Sequence, residues 1–236
     1  MMTIAAFFDL DGTLYSGHIW QELARHHWTA PVGGAGRRHR LWLAAYVARN
    51  MAPLPLYKLG LLSQVDFYGT WGETMGWLVR GWTVDESQAL FERLTDEQIM
   101  PKLHARVLTS LRKHQDQEHL VALVSGTFAP WLKTVAQRLS VPHAIGTPLE
   151  VRDGRYTGRI LPPLCQGPGK PSRVRAYLAE QGLKVDWASS FAYADSGTDL
   201  PLLSELGHPV AVYPDKVLLA HALSQNWPVI GETKPL

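Results

Sequence analysis

The chain has 236 residues, enough for one large domain or for a core with a smaller insert. Its 23 Lys and Arg against 21 Asp and Glu leave a net charge of only +2, so nucleic acid is not an expected partner. The single cysteine, Cys165, excludes an internal disulfide or a multi-cysteine zinc site and is expected to be structural. No signal peptide is evident, and no uncharged apolar run reaches the roughly 18–20 residues of a membrane span. These features predict a cytoplasmic protein.

Short apolar segments alternate with helical patterns through most of the chain. The predicted strands are 4–8, 119–125, 190–195 and 209–213. The predicted helices are near 101–115, 128–140, 170–182, 198–205 and 215–224. This alternation implies right-handed crossovers and an α/β fold with a doubly wound, Rossmann-like parallel sheet. Ligands of such sheets bind beyond the carboxyl ends of the strands.

Two segments interrupt the alternation. Residues 149–160 place Asp153-Gly154 between two short strands, which predicts a small β-hairpin at the edge of the sheet. Residues 17–100 read as mostly helical, with breaks near 31–36 and 53–55. An insert after the first strand would lie over the ligand-binding end of the sheet. We therefore expect a helical cap at 17–100 on a core made of 1–16 and 101–236.

The first strand ends in Asp9-Leu-Asp11-Gly12-Thr13. A carboxylate placed like Asp9 can attack phosphorus and form an acyl-phosphate. Asp11, two residues further on, could protonate the leaving oxygen and later activate water. Gly12 permits a turn, and the Thr13 hydroxyl could hold the loop, hold Asp11 or bind phosphate. The alternative is an ordinary acidic turn at the end of a strand.

A second set of polar groups could bind the phosphate. Ser125, Gly126 and Thr127 follow the second strand at a predicted helix start, where a hydroxyl and main-chain N–H groups can hold an anion. Capping of that helix by the hydroxyls is the alternative. Lys170 follows two glycines, and its ammonium could offset charge on Asp9 and on the phosphoryl oxygens. A solvated surface lysine is the alternative there.

Asp195 and Asp199 bracket Ser-Gly-Thr at the end of the third predicted strand. Mg2+ prefers a few carboxylates, other oxygen ligands and retained water. That preference would be met by Asp9 and Asp195 together with the Asp11 main-chain carbonyl, a phosphate oxygen and water. Asp199 could orient Lys170 or a metal-bound water, or it could simply begin the next helix.

In order and placement these motifs resemble the haloacid dehalogenase (HAD) superfamily, most closely its phosphoserine-phosphatase-like subfamily IB with a helical C1 cap. Asp9–Thr13 matches the first family motif, Ser125 the second, Lys170 the third, and Asp195 with Asp199 the fourth. The resemblance implies a Mg2+-dependent phosphomonoesterase. The first aspartate of the first motif would be the nucleophile, and the second would be the general acid and base.

One residue departs from the resemblance. Phosphoserine phosphatases carry a glutamate nine residues after the nucleophile, where it binds the substrate's amino group, and this chain has His18 there. An imidazole does not replace a carboxylate facing an ammonium. His18 is expected to meet an anionic or hydroxylated leaving group, or to be a hinge residue with no ligand. The expected substrate is a small phosphomonoester such as phosphoserine, histidinol phosphate or another ester, and His18 makes phosphoserine the less favoured of these.

The predicted cap contains no Asp or Glu from Leu23 to Val65 and holds six of the nine tryptophans. This stretch could line the site with Arg and aromatic side chains for a bulkier anionic or amphiphilic phosphate ester, rest against a membrane surface, or be a solvated basic face over a helical core. Pro53 and Pro55 break any long amphipathic helix, which argues against membrane association. Two other functions fit the same sequence: a phosphotransferase or mutase, and a non-catalytic binding module. The sequence does not determine the oligomeric state.

Overall fold

A six-stranded parallel sheet forms the centre of the protein in a computed structural model, which describes residues 2–29 and 34–232 and omits the side chains of 34–39, 42, 64, 65 and 68. The strands run in the order β3-β2-β1-β6-β7-β8. Their bounds are β1 (Ala5–Phe8), β2 (Leu120–Phe128), β3 (His143–Thr147), β6 (Phe191–Ala194), β7 (His208–Val212) and β8 (Val229–Ile230). The predicted doubly wound α/β fold is confirmed.

Helices cover both faces of the sheet. The helices of the core are α6 (Ala105–Asp116), α7 (Ala129–Arg138), α8 (Gly169–Glu180), α9 (Leu200–Leu203) and α10 (Lys216–Ser224). All four residues of β1 are buried, as expected of a parallel strand covered on both sides. Ala5 and Phe7 pack with residues of α8, α9 and α10, whereas Ala6 and Phe8 pack with α6 and α7. No helix within the described residues is long and apolar enough to cross a bilayer.

The order of the strands reverses at β1. The chain leaves β1 for β2 and β3 on one side of it and then returns to β6, β7 and β8 on the other side. Phe8, the last residue of β1, pairs with Leu123 of β2 and Tyr193 of β6. A crevice therefore opens beyond the carboxyl ends of these three strands, where doubly wound sheets bind their ligands.

Among the described residues, five α-helices lie between β1 and α6, in the segment that the sequence predicts to be a cap and that is called the cap below. They are α1 (Ile19–Thr29), α2 (Gly34–Met51), α3 (Leu54–Lys58), α4 (Gln64–Thr74) and α5 (Val84–Leu94). The two connections to the core run side by side, since Ser16 N–H donates to Lys102 O (3.1 Å) and His104 N–H donates to Leu14 O (2.8 Å). The predicted break at 53–55 is confirmed. The other predicted break lies partly outside the described residues, and 34–36 belong to α2.

The predicted hairpin is present as β4 (Leu149–Arg152) and β5 (Arg155–Ile160). Asp153 and Gly154 form its turn with φ of 49° and 71°, the conformation that Asp-Gly favours. The predicted position at the sheet edge is wrong, because the hairpin is a separate two-stranded sheet. Its main-chain groups bond to the cap instead: Gly81 N–H donates to Tyr156 O (2.8 Å), and Tyr156 N–H donates to Trp82 O (3.0 Å).

Strands β3 and β8 were not predicted. The sequence of β3, His-Ala-Ile-Gly-Thr, lacks a continuous apolar run, and β8 has only two residues. Gly146 in β3 is required by packing, since a Cβ there would lie 2.7 Å from Ala129 Cα at the start of α7. Because α7 packs so closely against β3, position 146 must be glycine, and this glycine interrupts the apolar pattern by which a buried strand is recognised in a sequence.

Candidate active site

Three charged side chains from separate elements meet in the crevice. Asp9 follows β1, Lys170 lies in the first turn of α8, and Asp199 ends a 3-10 turn at 197–199. Lys170 Nζ lies 2.7 Å from Asp9 Oδ1 and 2.6 Å from Asp199 Oδ1. All three residues are buried. One ammonium thus bridges two carboxylates that are far apart in sequence, and Asp199 occupies the position from which it was predicted to orient Lys170.

Burial and charge act in opposite directions on this cluster. Burial raises the pKa of Asp9 above its ordinary value, and the Lys170 ammonium offsets part of that effect. Burial also raises the pKa of Asp199 to about 6 against the same opposing ammonium. Burial by itself would lower the pKa of Lys170, but Asp199 and Asp9 together hold it above its usual value. Lys170 therefore stays charged, and the carboxylates depend on that charge.

Asp11 connects the site to the cap. Its Oδ1 accepts a 2.9 Å hydrogen bond from the main-chain N–H of Ile19, the first residue of α1. Burial, followed by the neighbouring charge of Asp9, raises the pKa of Asp11 to about 8. Gly12, at φ 78°, turns the loop back after Asp11, as predicted. A carboxyl group with such a pKa can hold a proton near neutral pH, and its position follows that of the first cap helix.

Thr13 lies beneath the carboxylates rather than in the cavity. It is fully buried, and its hydroxyl lies 3.3 Å from Asp9 Oδ2 and 3.2 Å from Asp195 Oδ1. It does not line the cavity, so its position does not support the prediction that it binds phosphate. It contacts Asp9 and Asp195 instead of Asp11. Thr13 is placed to position two carboxylates relative to each other.

Residues 125–127 do not begin a helix, so that part of the prediction is wrong. Strand β2 continues to Phe128, with an irregular register after Val124, and α7 begins at Ala129 with a proline in its first turn. Ser125 Oγ accepts a 3.3 Å hydrogen bond from Thr127 N–H. The Thr127 hydroxyl is buried and has no hydrogen-bond partner. Since buried hydroxyl groups are usually satisfied, this one marks a place for a polar ligand.

Carboxylate oxygens of Asp9, Asp195 and Asp199 all lie within 4.8 Å of one another. Three buried carboxylates carry up to three negative charges against the single charge of Lys170. An oxygen-rich site with excess negative charge suits a hard cation such as Mg2+. The residues present therefore fit the expected ion. The group includes Asp199, which the sequence predicted only as an orienting residue.

Asp215 is a site residue that sequence reasoning missed. It caps α10, with Oδ1 accepting from Leu218 N–H at 2.8 Å. Its Oδ2 accepts from Gly197 N–H (2.9 Å) and Ser196 Oγ (3.1 Å), so it holds the loop that carries Asp195. The helix-capping signal at Asp215 was visible in the sequence. The hydrogen bonds from Gly197 and Ser196 to Asp215 were not visible in the sequence, because they join the loop after β6 to the loop after β7.

A cavity of about 650 Å³ lies between the crevice and the cap. Most of the predicted site residues line it, including His18, Asp9, Asp11, Lys170 and the 125–127 segment. Cys165 also borders it, but its thiol donates to Ile145 O at 3.3 Å. Burial raises the pKa of that thiol to about 12. Cys165 is thus an unreactive packing residue, as predicted.

Comparison with known proteins identifies the family. A sequence model of haloacid dehalogenase-like hydrolases matches residues 6–204. Phosphoserine phosphatase SerB1 of Mycobacterium tuberculosis is 30% identical over 228 residues, 97% of this chain and 70% of that protein. The chain belongs to the haloacid dehalogenase-like hydrolase family. Within that family, the chain is similar to proteins of the phosphoserine-phosphatase-like type, which confirms the predicted resemblance.

Two further similarities cover different parts of the chain. Histidinol-phosphatase of Neisseria meningitidis serogroup C is 33% identical over 137 residues, 57% of this chain and 62% of that protein. Among solved structures, a protein of unknown function from Bordetella pertussis Tohama I has a TM-score of 0.80 and 29% identity. That match covers 98% of this chain and 99% of the other, so it includes both the central sheet and nearly all of residues 17–100.

Proposed function

We propose that this protein is a Mg2+-dependent phosphomonoester hydrolase that works through an aspartyl-phosphate. The observation that supports this most directly is the Lys170 ammonium bridging Asp9 and Asp199 in the crevice where the strand order reverses. This arrangement places a carboxylate nucleophile beside a fixed positive charge. Residues 17–100 act as the cap that covers it, and a cytoplasmic location remains a prediction from the sequence.

In the first step, Asp9 attacks phosphorus and the bond to the alcohol oxygen breaks. The Ser125 hydroxyl, the unpartnered Thr127 hydroxyl and the Gly126 segment bind the phosphoryl oxygens, as does the Lys170 ammonium. Asp11 gives its proton to the departing alkoxide. The products of this step are a free alcohol and a phosphoryl group bonded to Asp9.

In the second step, Asp11 takes a proton from water, and the water oxygen attacks phosphorus. The bond to the Asp9 carboxylate breaks, and inorganic phosphate leaves. Asp11 serves in both steps because its hydrogen bond to Ile19 N–H leaves its second oxygen available to the cavity it lines. Asp199 acts through Lys170, which it holds at 2.6 Å.

Asp9 and Asp195, with the main-chain carbonyl of Asp11, would hold Mg2+, and the close grouping of carboxylates also brings Asp199 within reach. When bound, the ion would neutralise charge on the phosphoryl oxygens. Thr13 and Asp215 would keep these ligands in position. The Thr13 hydroxyl lies within hydrogen-bond distance of Asp9 and Asp195, and Asp215 accepts a hydrogen bond from the main chain of the 195–199 loop.

The test is the variant Asp9→Asn with p-nitrophenyl phosphate as substrate. The amide has nearly the same shape as the carboxylate but is not a nucleophile, so kcat should fall by roughly 10⁴-fold or more. The exposed hairpin variant Asp153→Asn is the matched control, because Asn tolerates the φ of 49° there. Circular dichroism checks that both variants fold. An Asp9→Asn protein with the wild-type rate would refute the proposal.

A phosphotransferase or mutase would use the same Asp9 chemistry with an alcohol in place of water. Adding glycerol to the reaction separates the two, because transfer yields glycerol phosphate in addition to inorganic phosphate. Hydrolysis predicts that inorganic phosphate equals released alcohol. A non-catalytic binding module predicts neither product.

A further inference from the structure

The wall of the cavity opposite the carboxylates is apolar and comes from the cap. Helices α1 to α4 and the 3-10 turn at 75–79 supply it. The side chains that form this wall are Trp20, Met51, Leu54, Phe67, Trp71 and Met75. These residues face the end of the site where the leaving group of a phosphate ester would lie, since the phosphoryl-binding groups occupy the core side.

Charge is missing from the cap side of the cavity among the side chains that the structure describes. Besides the apolar wall, the cap contributes His18, Gln21, Tyr46 and Gly72 to the lining, and none of these is Asp, Glu, Lys or Arg. The Tyr46 hydroxyl donates to Trp71 O at 3.1 Å. Burying an ammonium or carboxylate of a substrate without a counter-charge is costly. The cap side therefore disfavours amino-alcohol and amino-acid phosphates.

The apolar wall is a packed aromatic cluster rather than a set of separate side chains. Trp71 is at its centre, with ring centroids 5.9 Å from Trp20, 5.5 Å from Tyr46 and 6.5 Å from Phe67. Tyr46 and Phe67 are buried. Such contacts hold the rings in place before a ligand arrives, so little conformational entropy is lost on binding.

We propose that the substrate is a phosphate monoester of a neutral, apolar alcohol larger than an amino-acid side chain. The cavity of about 650 Å³ lies within the roughly 300–1,000 Å³ that sites for drug-sized ligands occupy. The phosphate binds among the core residues, and the apolar chain or ring system of the alcohol packs on the Trp20 and Trp71 side. This inference rests on the proposed phosphatase function and specifies its leaving group.

The test is a series of linear alkyl phosphates from ethyl to octyl, each kept below its micelle concentration. Each methylene buried on the wall should raise kcat/KM by about two- to fourfold, until the cavity is filled. Phosphoserine and histidinol phosphate should be hydrolysed with lower kcat/KM than hexyl phosphate. The ratio of kcat/KM for octyl phosphate to that for ethyl phosphate is the diagnostic quantity.

Matched variants locate the effect. Trp20→Ala should lower the octyl-to-ethyl ratio by about tenfold or more, because it removes part of the wall. Trp28→Ala on the same helix is the control; Trp28 is 65% exposed and does not line the cavity, so the ratio should not change. Leu54→Ser, with the exposed Leu59→Ser as its control, repeats the comparison if Trp20→Ala fails to fold.

The outcomes separate the two proposals. Turnover that depends on Asp9 but shows no rise with chain length, or that favours phosphoserine, overturns the apolar substrate class and leaves the phosphatase function intact. Equal loss of the ratio in Trp20→Ala and Trp28→Ala also overturns it. Absence of turnover with every ester, in the presence of Mg2+, contradicts the phosphatase function itself.

Discussion

Replacing Lys170 with methionine tests how far the site depends on one buried cation. Lys170 is 3% exposed, and its ammonium contacts Asp9 and Asp199 at 2.7 and 2.6 Å. Methionine has a similar length and no charge. The variant leaves two buried carboxylates without their shared partner, so its effect should appear in stability as well as in activity.

The expected loss is about 3–5 kcal/mol in the free energy of unfolding, the usual cost of removing one partner from a buried ion pair. Arg138→Met is the control, because Arg138 pairs with Asp96 through two hydrogen bonds of 2.7 and 2.9 Å on the surface. That pair lies on the surface, where water screens the attraction between the two charges, so Arg138→Met should destabilise the protein far less than Lys170→Met does. Both variants lose two hydrogen bonds to carboxylates, so the difference between their losses of stability reports the effect of burial.

The assay is urea unfolding of both variants with a chelator present, at pH 8 and pH 5. Without the ammonium, burial raises the pKa of Asp9 and Asp199 further, so the folded state holds protons that the unfolded state releases. The unfolding free energy of Lys170→Met, relative to that of the wild type at the same pH, should therefore fall as pH rises from about 4 to 8. Added Mg2+ should restore part of it. A loss for Lys170→Met no larger than that for Arg138→Met would refute this explanation of the cluster.

Two further predictions concern the packing around the site. Burial, together with His119 and Lys113, lowers the pKa of His114 to about 4, so the unfolded state binds more protons between pH 6.5 and 4. As pH decreases from 6.5 to 4, His114 should therefore contribute a fall of roughly 2–3 kcal/mol to the unfolding free energy, whereas the raised pKa values of Asp9, Asp11 and Asp199 act in the opposite direction. Because those carboxyl groups are present in both proteins, the difference in urea-unfolding free energy between wild type and His114→Gln at each pH isolates the histidine; a difference that does not change with pH would contradict the assignment. Trp131→Ala should lower the free energy of unfolding by about 3–5 kcal/mol, measured by thermal or urea unfolding. Trp131 is fully buried, and its ring stacks on that of Phe91 at 4.9 Å, so it packs α7 against α5. A loss no larger than that of a variant at an exposed tryptophan would show that this contact contributes little.

The sequence predicted Asp9 and Asp195 as site residues because each of them directly follows an apolar strand. Asp9 and Asp195 needed only the rule that parallel strands end at the same edge of a sheet. Lys170 and Asp199 were placed by their motifs, and the structure joins them in one ion pair. Local pattern was sufficient for the aspartates that follow β1 and β6.

Predictions failed where a contact joins segments distant in sequence. The position of Thr13 in its motif did not determine which group its hydroxyl contacts. In the structure the hydroxyl is buried and lies beside the carboxylates of Asp9 and Asp195. The 125–127 segment continued as strand, because β3 pairs alongside it and Thr147 Oγ donates to Gly126 O at 2.8 Å. Asp215 carries a second bond to the neighbouring loop that no local signal reveals.

By itself, the sequence determined the alternation of strands and helices, the aspartates at the strand ends and, from these, the family's chemistry. Periodicity and strand-end position are local properties, so they can be read along the chain. Only the tertiary structure decided which apolar side chains line the cavity beside the acidic residues. The wall brings together Trp20, Leu54 and Trp71 from three helices, and packing between distant segments has no signature in the order of the residues. The packing that brings these side chains to the same cavity as Asp9 therefore had to be seen in three dimensions.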